Sequence, residues 1–532
     1  MLVKSLKTLR LLPLGISVWI VSSCTMVGPE YKAPVDTTMP EWIDTEGFSV
    51  TAQENIEWWN LLKDPNLDLL IKTAHEDNLD LQSAALRILE ARAALGIAYG
   101  SFWPQEQSIQ GGASTIGVSD NSANSQSADG SFKNYQVGMN ASWELDFWGK
   151  YRRIIHASKL SLDAQLASYD NLIVSLSAEV AKTYIQICVK EERLSVVKMN
   201  IESQKKNQKI VKVRFDNGDV SELDYQQATI LLNETESFIP RVEADLRKLK
   251  NSLAVLLGRN PGQVDTLLKG DLSIPELPAE LAISAPNTLL RRRPDIRQAE
   301  YQLAIQGERI GISRADLFPH VGLFGSVGLQ TSNNNVTKNN SSNVDNLFDK
   351  ESFFYQVGPQ FKWDLFNYGQ LKNKVRAEDA VFEQTANFYY QSVLKAQQEV
   401  EDSFADISGS QRQLLSITKS VEAAKRSVEL SEIEYKNGKI AFESVLSSLD
   451  FLNQLESKSV LVRGEVILGM VSLYKNLGGG WEASRNTLPI KKETLDRMRE
   501  RTDWGDVLDK RPSNKVIDEF SKKKDEENSP KE

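Results

Sequence analysis

The stretch Tyr135–Gly149, with the sequence YQVGMNASWELDFWG, returns later in the chain as Tyr355–Gly369, with the sequence YQVGPQFKWDLFNYG. The spacing is 220, and other pairs share it: Tyr169 and Tyr389, Glu179 and Glu399, Asn217-Gly218 and Asn437-Gly438, and Leu257-Gly258 and Leu477-Gly478. Upstream the spacing is 215, as for Pro104 and Pro319, so the register slips by five once, between Pro319 and Tyr355. In a chain of 532 residues, this period indicates one structural unit that occurs twice rather than several unrelated domains.

The repeated stretch alternates apolar and polar residues with the period of two that is typical of a β-strand. The apolar face of the first copy consists of Tyr135, Val137, Met139, Ala141, Trp143, Leu145 and Phe147. Weaker strand candidates precede the two copies at about 107–118 and 321–329, and polar loops rich in glycine and asparagine follow these candidates. This order predicts two β-hairpins, each with a long loop on the same side.

The alternation has two explanations. A soluble antiparallel sheet with one face in water gives the same pattern. A membrane barrel is favoured by strands of about ten residues, by aromatic residues at the strand ends and by an export signal. Four strands cannot close a barrel, and an open sheet edge is not tolerated in lipid. The membrane interpretation therefore requires several copies of the chain, and the residues alone do not choose between eight strands and twelve.

Each predicted hairpin leads into a very long helix. The segment between Gly149 and Gly218 contains no glycine or proline, and the equally long segment between Gly369 and Gly438 contains only Gly409. A continuous helix of that length reaches roughly 100 Å. Both segments end at an Asn-Gly pair, which is a strong helix stop, and a return helix is predicted after each.

A proline inside one helix and an alternative explanation of the long helices must both be considered. Pro240 lies inside the first return helix and should break or kink it, whereas its counterpart in the second repeat is Val460. A solvated structural coiled coil or rod is the alternative explanation of such long, moderately amphipathic helices. The strands joined directly to the helices argue against a rod, because a purely helical rod contains no strands.

Composition excludes several classes of function. The net charge of −9 argues against nucleic acid as a partner, because phosphate binding requires a basic face. The three histidines and two cysteines are far apart and lack the spacing of metal ligands. No nucleophile elbow, phosphate loop or dinucleotide fingerprint is present. We therefore expect no enzymatic activity, no metal and no cofactor.

The N-terminus has the pattern of an export signal. Lys4, Lys7 and Arg10 precede the apolar stretch Leu11–Val21, which is too short to span a bilayer comfortably. The small residues before Cys24 resemble a bacterial lipobox, in which the cysteine is acylated, for example with palmitate, and becomes the mature N-terminus. An ordinary secretory signal is the alternative. No other stretch approaches the 18 to 20 apolar residues of a transmembrane helix, so the mature chain could cross a membrane only as strands.

Four motifs in order resemble the lipidated, NodT-like branch of outer-membrane efflux factors of the TolC/OprM type. They are Val27-Gly28-Pro29-Glu30-Tyr31 after Cys24, Asp64-Pro65-Asn66-Leu67, Arg292-Arg293-Pro294-Asp295, and Leu477-Gly478-Gly479-Gly480-Trp481. The resemblance extends over about residues 24–481. It implies a mixed α/β membrane protein that forms a homotrimer. The trimer has a 12-stranded outer-membrane β-barrel, with four strands per chain, continuous with a long periplasmic α-helical barrel.

The resemblance also implies function and location. The trimer would be the outer-membrane exit duct of a tripartite efflux system, anchored by lipid and with a large periplasmic part. Its partners would be a periplasmic adaptor and an inner-membrane pump, most often of the resistance–nodulation–division type, which hand over small toxic compounds or drugs. An outlet for type I protein secretion and a structural envelope lipoprotein are the alternatives.

The domain organisation follows from the repeat. We expect a lipoprotein signal peptide at 1–23, an N-terminal anchor segment at 24–61, a first repeat at 62–270, a second repeat at 271–481 and a charged tail at 482–532. The first repeat comprises a hairpin at about 104–147, a long helix at about 149–217 and a return helix at about 220–257. The second comprises the corresponding elements at about 319–366, 369–437 and 440–475.

The resemblance implies functional residues at the two turns between long and return helices. The adaptor-facing positions are Gly218, Ser221, Leu223 and Asp224 in the first turn and Gly438 and Ala441 in the second. Helix capping is the alternative role of Ser221 and Asp224, and both roles can hold together. The second turn departs from the usual family sequence.

Family members often carry acidic residues just after the second turn, where a ring of carboxylates narrows the closed pore. In this chain those positions are Ser444 and Ser447, with Glu443 and Asp450 nearby. We hypothesise that the closed aperture is held by apolar packing or by Asp450 instead of the usual acidic ring.

Two charged segments remain. The run Arg291-Arg292-Arg293 could bind an anion, but Pro294 in a first helical turn favours pairing with local carboxylates. The 51 residues after Trp481 contain 13 basic and 13 acidic residues. This segment is expected to be solvated or disordered.

Overall fold

A computed structural model provides the structure. It describes residues 26–34, 38–43, 48–50, 57–117, 119, 121, 131–270, 272–278, 281–283, 292–333, 344–482 and 489–508. Cys24, Arg291 and the tail after residue 508 lie outside these residues. The chain divides into two compact units. One contains Glu90–Asp163 and Glu300–Asn387 with the chain up to Pro34, and the other contains Val35–Leu89, Ala164–Ala299 and Phe388–Glu532.

The strands in chain order are β1 (Phe48–Val50), β2 (Glu106–Gly117), β3 (Ser131–Glu144), β4 (Leu281–Ile283), β5 (His320–Ser332) and β6 (Phe353–Lys362). The helices are α1 (Pro65–Asp77), α2 (Leu79–Gly100), α3 (Lys150–Asp216), α4 (Glu222–Leu256), α5 (Pro294–Ala315), α6 (Gln370–Lys436), α7 (Phe442–Asn476) and α8 (Lys492–Arg501). The four long strands and the two pairs of long helices predicted for each chain are present.

The four long strands form one antiparallel sheet in the first unit, in the order β2-β3-β5-β6. The two predicted hairpins therefore lie side by side, joined through β3 and β5. Met139 of β3 pairs with Ile109 of β2 on one side and with Val327 of β5 on the other. Within the part of the chain that the structure describes, β2 and β6 each have an unpaired edge.

The long helices α3 and α6 are continuous and contain 67 residues each. They stop at the predicted Asn-Gly pairs, where Gly218 and Gly438 have φ of 80° and 70°. At the first stop the Gly218 N–H donates to the Phe215 carbonyl at 2.9 Å, and the Asp219 N–H donates to the Arg214 carbonyl at 2.8 Å. This pattern satisfies carbonyls at the helix end and fixes the direction of the turn.

Of the two effects expected of Pro240, a break in the first return helix is contradicted, because α4 runs through Pro240 from Glu222 to Leu256. Pro240 lies on the exposed face of α4, so water can solvate the Glu236 carbonyl that loses its helical partner. Val242 and Leu246 are buried on the opposite face and hold the following turns in place.

The second unit contains the main apolar core, to which α3 contributes a long buried stretch. Contrary to the sequence-based expectation, one 18-residue window of α3 is apolar enough to cross a membrane. However, 72% of that window is buried inside the chain. Ile173, Val180, Ile185 and Ile187 are fully buried. The apolar window is therefore explained by packing within this unit.

Of the two alternatives expected for the tail, residues 489–508 follow the solvated one, because all of them whose burial is described, except Met498, are exposed or half-buried. This segment includes α8, in which Met498 is buried. The Lys491 ammonium lies 3.0 Å from the Asp77 carboxylate at the end of α1. A composition with balanced charge did not reveal this contact, because it depends on one carboxylate near the opposite end of the chain.

Candidate functional site

The turn between α3 and α4, which we call the first tip (Asn217–Asp224), is fastened by polar groups. The Asp224 N–H donates to Ser221 Oγ at 3.3 Å, and the Ser221 N–H donates to Asp224 Oδ2 at 3.1 Å. These reciprocal bonds form a capping box that satisfies donors at the start of α4. Ser221 and Asp224 thus have a structural role, whereas the Leu223 side chain between them is 64% exposed.

The turn between α6 and α7, the second tip (Asn437–Ser444), is fastened by an apolar side chain. Ala441 occupies the cap position and has no side chain that could accept a hydrogen bond. The next residue, Phe442, is only 3% exposed. The departure of this tip from the first, visible in the sequence, therefore replaces a polar cap with a buried aromatic anchor.

The helix ends beside the two tips pack against each other within one chain. The Arg214 guanidinium lies over the Tyr435 ring, 5.0 Å from its centroid. The Tyr435 ring also packs against Phe442, with centroids 5.2 Å apart. The buried residues of this cluster are Val211, Ala228, Val428, Phe442, Val445 and Leu449. Burial raises the pKa of Tyr435, and the neighbouring Arg214 cation opposes that rise.

Sequence reasoning missed this contact between the tips. Arg214 and Tyr435 belong to different repeats, and no local pattern pairs them. The only available signal was the concentration of aromatic residues beside the Asn-Gly stops. Phe215 and Tyr225, for example, stack across the first tip with centroids 6.1 Å apart.

The four gate candidates lie together on one exposed face of α7. Glu443, Ser444, Ser447 and Asp450 are all exposed. Phe442, Val445 and Leu449 are buried on the opposite side of the same helix. Asp450 Oδ2 accepts a hydrogen bond from Gln454 Nε2 at 2.9 Å. A single chain brings these side chains onto one stripe but does not by itself arrange them around a pore.

The arginine run serves packing in the second unit. The Arg293 guanidinium lies 2.7 Å from Asp295 and 2.8 Å from Glu399, and it donates to the Asn476 carbonyl at 2.9 Å. Arg292 lies 3.4 Å from Glu482. These contacts link the start of α5 to α6 and to the end of α7, as local pairing with carboxylates predicts. Arg291 lies outside the described residues.

A cavity of 620 Å³ lies in the second unit, lined by Trp59, His75, Tyr169 and the tail residue Ile490, among others. His75 Nε2 is 2.8 Å from Ser177 Oγ. Burial lowers the pKa of His75 to about 4, so the imidazole is neutral near pH 7. Within the described residues, no group of three or more His, Cys, Asp or Glu side chains could hold a metal ion.

Comparison with known proteins connects this architecture to one family. The family model described as "Outer membrane efflux protein" matches residues 70–259 and 285–479. The pyoverdine export outer membrane protein OpmQ of Pseudomonas putida is 27% identical over 487 residues, covering 90% of this chain and 98% of that protein. The protein named "Probable outer membrane lipoprotein SilC", from Salmonella typhimurium, is 25% identical over 479 residues, with 89% and 99% covered.

A further relative and a solved structure connect the chain to the same family. The cation efflux system protein CusC of Escherichia coli O6:H1 is 25% identical over 485 residues, covering 89% of this chain and 99% of that protein. The solved structure of the outer-membrane channel OprN matches with a TM-score of 0.77 and 28% identity, covering 86% of this chain and 99% of OprN. The match to OprN confirms the predicted fold of four strands and long helices in each chain.

Proposed function

Because this chain belongs to the outer membrane efflux protein family, whose members are channels and not enzymes, we propose that three copies form the exit duct of a tripartite efflux system. An inner-membrane pump, of the resistance–nodulation–division type, hands small toxic compounds or drugs to this duct through a periplasmic adaptor. Transport through the duct itself is passive. Relatives named for pyoverdine export and for cation efflux show that the family's substrates vary, so the substrate must be found by experiment.

The observation that carries this proposal is an open sheet with exposed apolar side chains. Tyr355, Val357 and Phe361 alternate along the edge strand β6 and are all exposed. Among the residues that the structure describes, the outer edges of β2 and β6 pair with no further strand, and such open edges are not tolerated in lipid. Pairing β6 of one copy with β2 of the next satisfies both edges. Three copies then close a barrel of twelve strands, the number that the family resemblance implies.

The lipid anchor at Cys24 is part of the same proposal. The chain just after Cys24 is packed within the first unit, where the Val27 N–H donates to the Trp148 carbonyl at 3.0 Å. Arg153 Nε donates to the Val27 carbonyl at 3.0 Å and so fixes this segment further. Trp148 follows β3 closely, so an acyl chain on Cys24 would start near one end of the strands. The naming of SilC as an outer membrane lipoprotein is consistent with such an anchor.

The tips are proposed to face the adaptor and to close the duct. Leu223 offers exposed apolar area, and Gly218 and Gly438 have open space around them. The packing of Phe442 and the contact of Arg214 with Tyr435 hold the two tips together, so opening must separate them. This arrangement supports the hypothesis of an apolar closure, with Ser444 and Ser447 where relatives often have carboxylates. Strong block by divalent cations that disappears on substitution of Ser444 or Ser447 would refute that hypothesis.

Planar-bilayer recording of the purified protein tests the proposal. A duct gives discrete single-channel conductance, and native mass spectrometry gives the mass of three chains. A structural envelope lipoprotein gives no conductance. Deletion of the gene, followed by drug and metal sensitivity profiles and an inventory of secreted proteins, separates efflux from type I secretion. Loss of a secreted protein with unchanged sensitivity would favour the secretion outlet.

A further inference from the structure

The cavity of 620 Å³ in the second unit, which we call the tail cavity, combines an apolar and aromatic lining with a charged rim. The lining includes Trp59, Ile71 and Tyr169, which are 5%, 1% and 4% exposed. Cavities of about 300–1,000 Å³ with such a lining and a few polar groups are typical sites of small organic ligands. None of the lining residues belongs to the two tips or to the four long strands, so the proposed duct assigns this cavity no role.

The tail forms one wall of this cavity. Pro489 and Ile490 line it and are half-buried. The next residue, Lys491, is held by an ion pair of 3.0 Å with Asp77 at the end of α1. A ligand in the cavity would therefore contact both α1 and the tail, and its binding would stabilise the docked position of the tail.

The rim of the tail cavity carries negative charge that the chain does not balance. Glu57, Asp68 and Glu76 line the cavity, and none of these three carboxylates forms an ion pair with another described residue. Lys72 also lines the cavity and opposes part of the charge. The ammonium group of Lys491 is already paired with a carboxylate outside the lining. The rim therefore favours a cation over an anion.

The surroundings of Asp68 locate this unbalanced charge. Burial raises the pKa of Asp68, and the neighbouring carboxylates of Asp64 and Glu57 raise it further. Asp68 Oδ1 is buried and has no hydrogen-bond partner among the described residues. A cation near this carboxylate stabilises its charged form, because charges attract more strongly where water is excluded.

The aromatic lining suits a cation that has an apolar body. Indole and phenol rings attract cations, and the indole ring does so most strongly. His75, whose ring centroid lies 6.1 Å from that of Trp59, does not repel a cation near pH 7, because burial lowers its pKa to about 4 and leaves it neutral. Trp59 and Tyr169 therefore offer apolar contact to a carbon skeleton beside the acidic rim.

We propose that the tail cavity binds an organic ammonium ion with an aromatic body, its ammonium group near Asp68 and Glu57 and its ring against Trp59 and Tyr169. An organic anion of the same shape would be repelled by the two carboxylates. All the lining residues come from one compact unit of one chain, so the site does not depend on the number of copies in the duct.

Titration calorimetry of the full-length protein in lipid nanodiscs tests the site with phenethylammonium as the probe. Two matched probes separate the effects of charge and ring: phenylacetate has the ring with the opposite charge, and ethylammonium has the charge without the ring. We expect saturable binding of phenethylammonium that is about tenfold tighter, or more, than binding of either matched probe. Equal binding of phenylacetate, or no saturable heat with phenethylammonium, would overturn the proposal.

Substitution of the buried carboxylate tests the position of the ammonium group. Asp68→Asn should weaken the binding of phenethylammonium about tenfold or more, because a charge-assisted contact is lost. Asp80→Asn makes the same change of charge at an exposed position of α2 outside the lining, and should change the affinity less than about twofold. Equal weakening in the two variants would show attraction to an acidic surface in general and would refute the site.

Thermal unfolding of the same variants excludes a folding defect as the cause of lost binding. Asp68→Asn should unfold at the same temperature as the wild type or higher, since it removes a charge that burial and two neighbouring carboxylates disfavour. A lower unfolding temperature would contradict the unbalanced charge on which the proposal depends.

Hydrogen–deuterium exchange of the wild type locates the bound probe. Phenethylammonium should slow amide exchange in α1 and in the tail residues Ile490–Thr494, and should leave exchange at the first tip unchanged. Slower exchange at the tips or strands, with no change in the tail, would place the ligand elsewhere and overturn the proposal. Because neither result depends on conductance, the site can fail while the proposed duct stands, and the reverse.

Discussion

The two helical tips reverse the chain in the same way, but different kinds of side chain stabilise them. The first tip begins its return helix with the capping box of Ser221 and Asp224, which are both accessible to water. The second begins with Ala441, which caps nothing, and relies on the buried ring of Phe442. A capping box can remain formed while its surroundings rearrange, whereas a buried ring is lost when its cluster opens. The difference suggests that the second tip moves during opening and the first serves as a fixed frame.

The largest expected effect comes from removing the anchor of the second tip. Phe442→Ala should destabilise the tip cluster by about 3–5 kcal/mol, as is typical for a buried phenylalanine. We expect faster amide exchange in Val428–Leu449 and a larger single-channel conductance. Phe215→Ala, at the half-buried aromatic residue just before the first tip, is the matched control and should change both much less. Equal effects of the two variants would remove the distinction between the tips.

The next effect concerns proline in the return helices. Val460→Pro should destabilise α7 by about 3 kcal/mol or more, because it removes a helical hydrogen bond at a buried position. Pro240→Ala, at the exposed counterpart in α4, should instead stabilise its helix. Thermal unfolding and amide exchange of α4 and α7 would measure both changes. A tolerated Val460→Pro would show that exposure does not explain the continuity of α4.

Exchanging the caps should give a smaller effect. Ser221→Ala should cost about 1 kcal/mol at the start of α4. Ala441→Ser should add a cap to α7 and slow amide exchange in its first turn. If Ser221→Ala leaves exchange in Glu222–Tyr225 unchanged, the capping box is not what holds the first tip.

The smallest effect is expected for the contact that joins the two tips. Arg214→Gln removes a cation over the Tyr435 ring, a contact worth about 0.5–1 kcal/mol at such a site. The probability of the open state should rise slightly, and the pKa of Tyr435 should rise further because the cation that opposes the effect of burial is gone. Absorbance titration of the tyrosine and open-probability recordings would detect these changes. A fall in the pKa would contradict the contact.

Much of the fold could be predicted because local sequence patterns determine its strands and helix ends. Alternation marked the strands through Tyr135 and Tyr355, and Asn-Gly pairs marked the ends of the long helices. The effect of Pro240 could not be predicted, since it depends on which face of α4 meets water. The docking of Lys491 on Asp77 depends on tertiary structure in the same way.

The candidate site was only partly visible in the sequence. The positions of the tips followed from the helix stops, and capping by Ser221 and Asp224 was foreseen as an alternative role. The packing of Tyr435 against Arg214 and Phe442 was not foreseen, because Arg214 comes from the opposite repeat and the ring contact depends on tertiary structure.

The most direct test of the account is single-channel recording of wild-type protein and Phe442→Ala side by side in planar bilayers. The wild type should show small, discrete conductance from a closed-tip duct, and the variant should show a larger conductance in complexes of the same mass. Silent bilayers for both proteins, with trimers present and folded, would contradict the claim that this chain forms a channel.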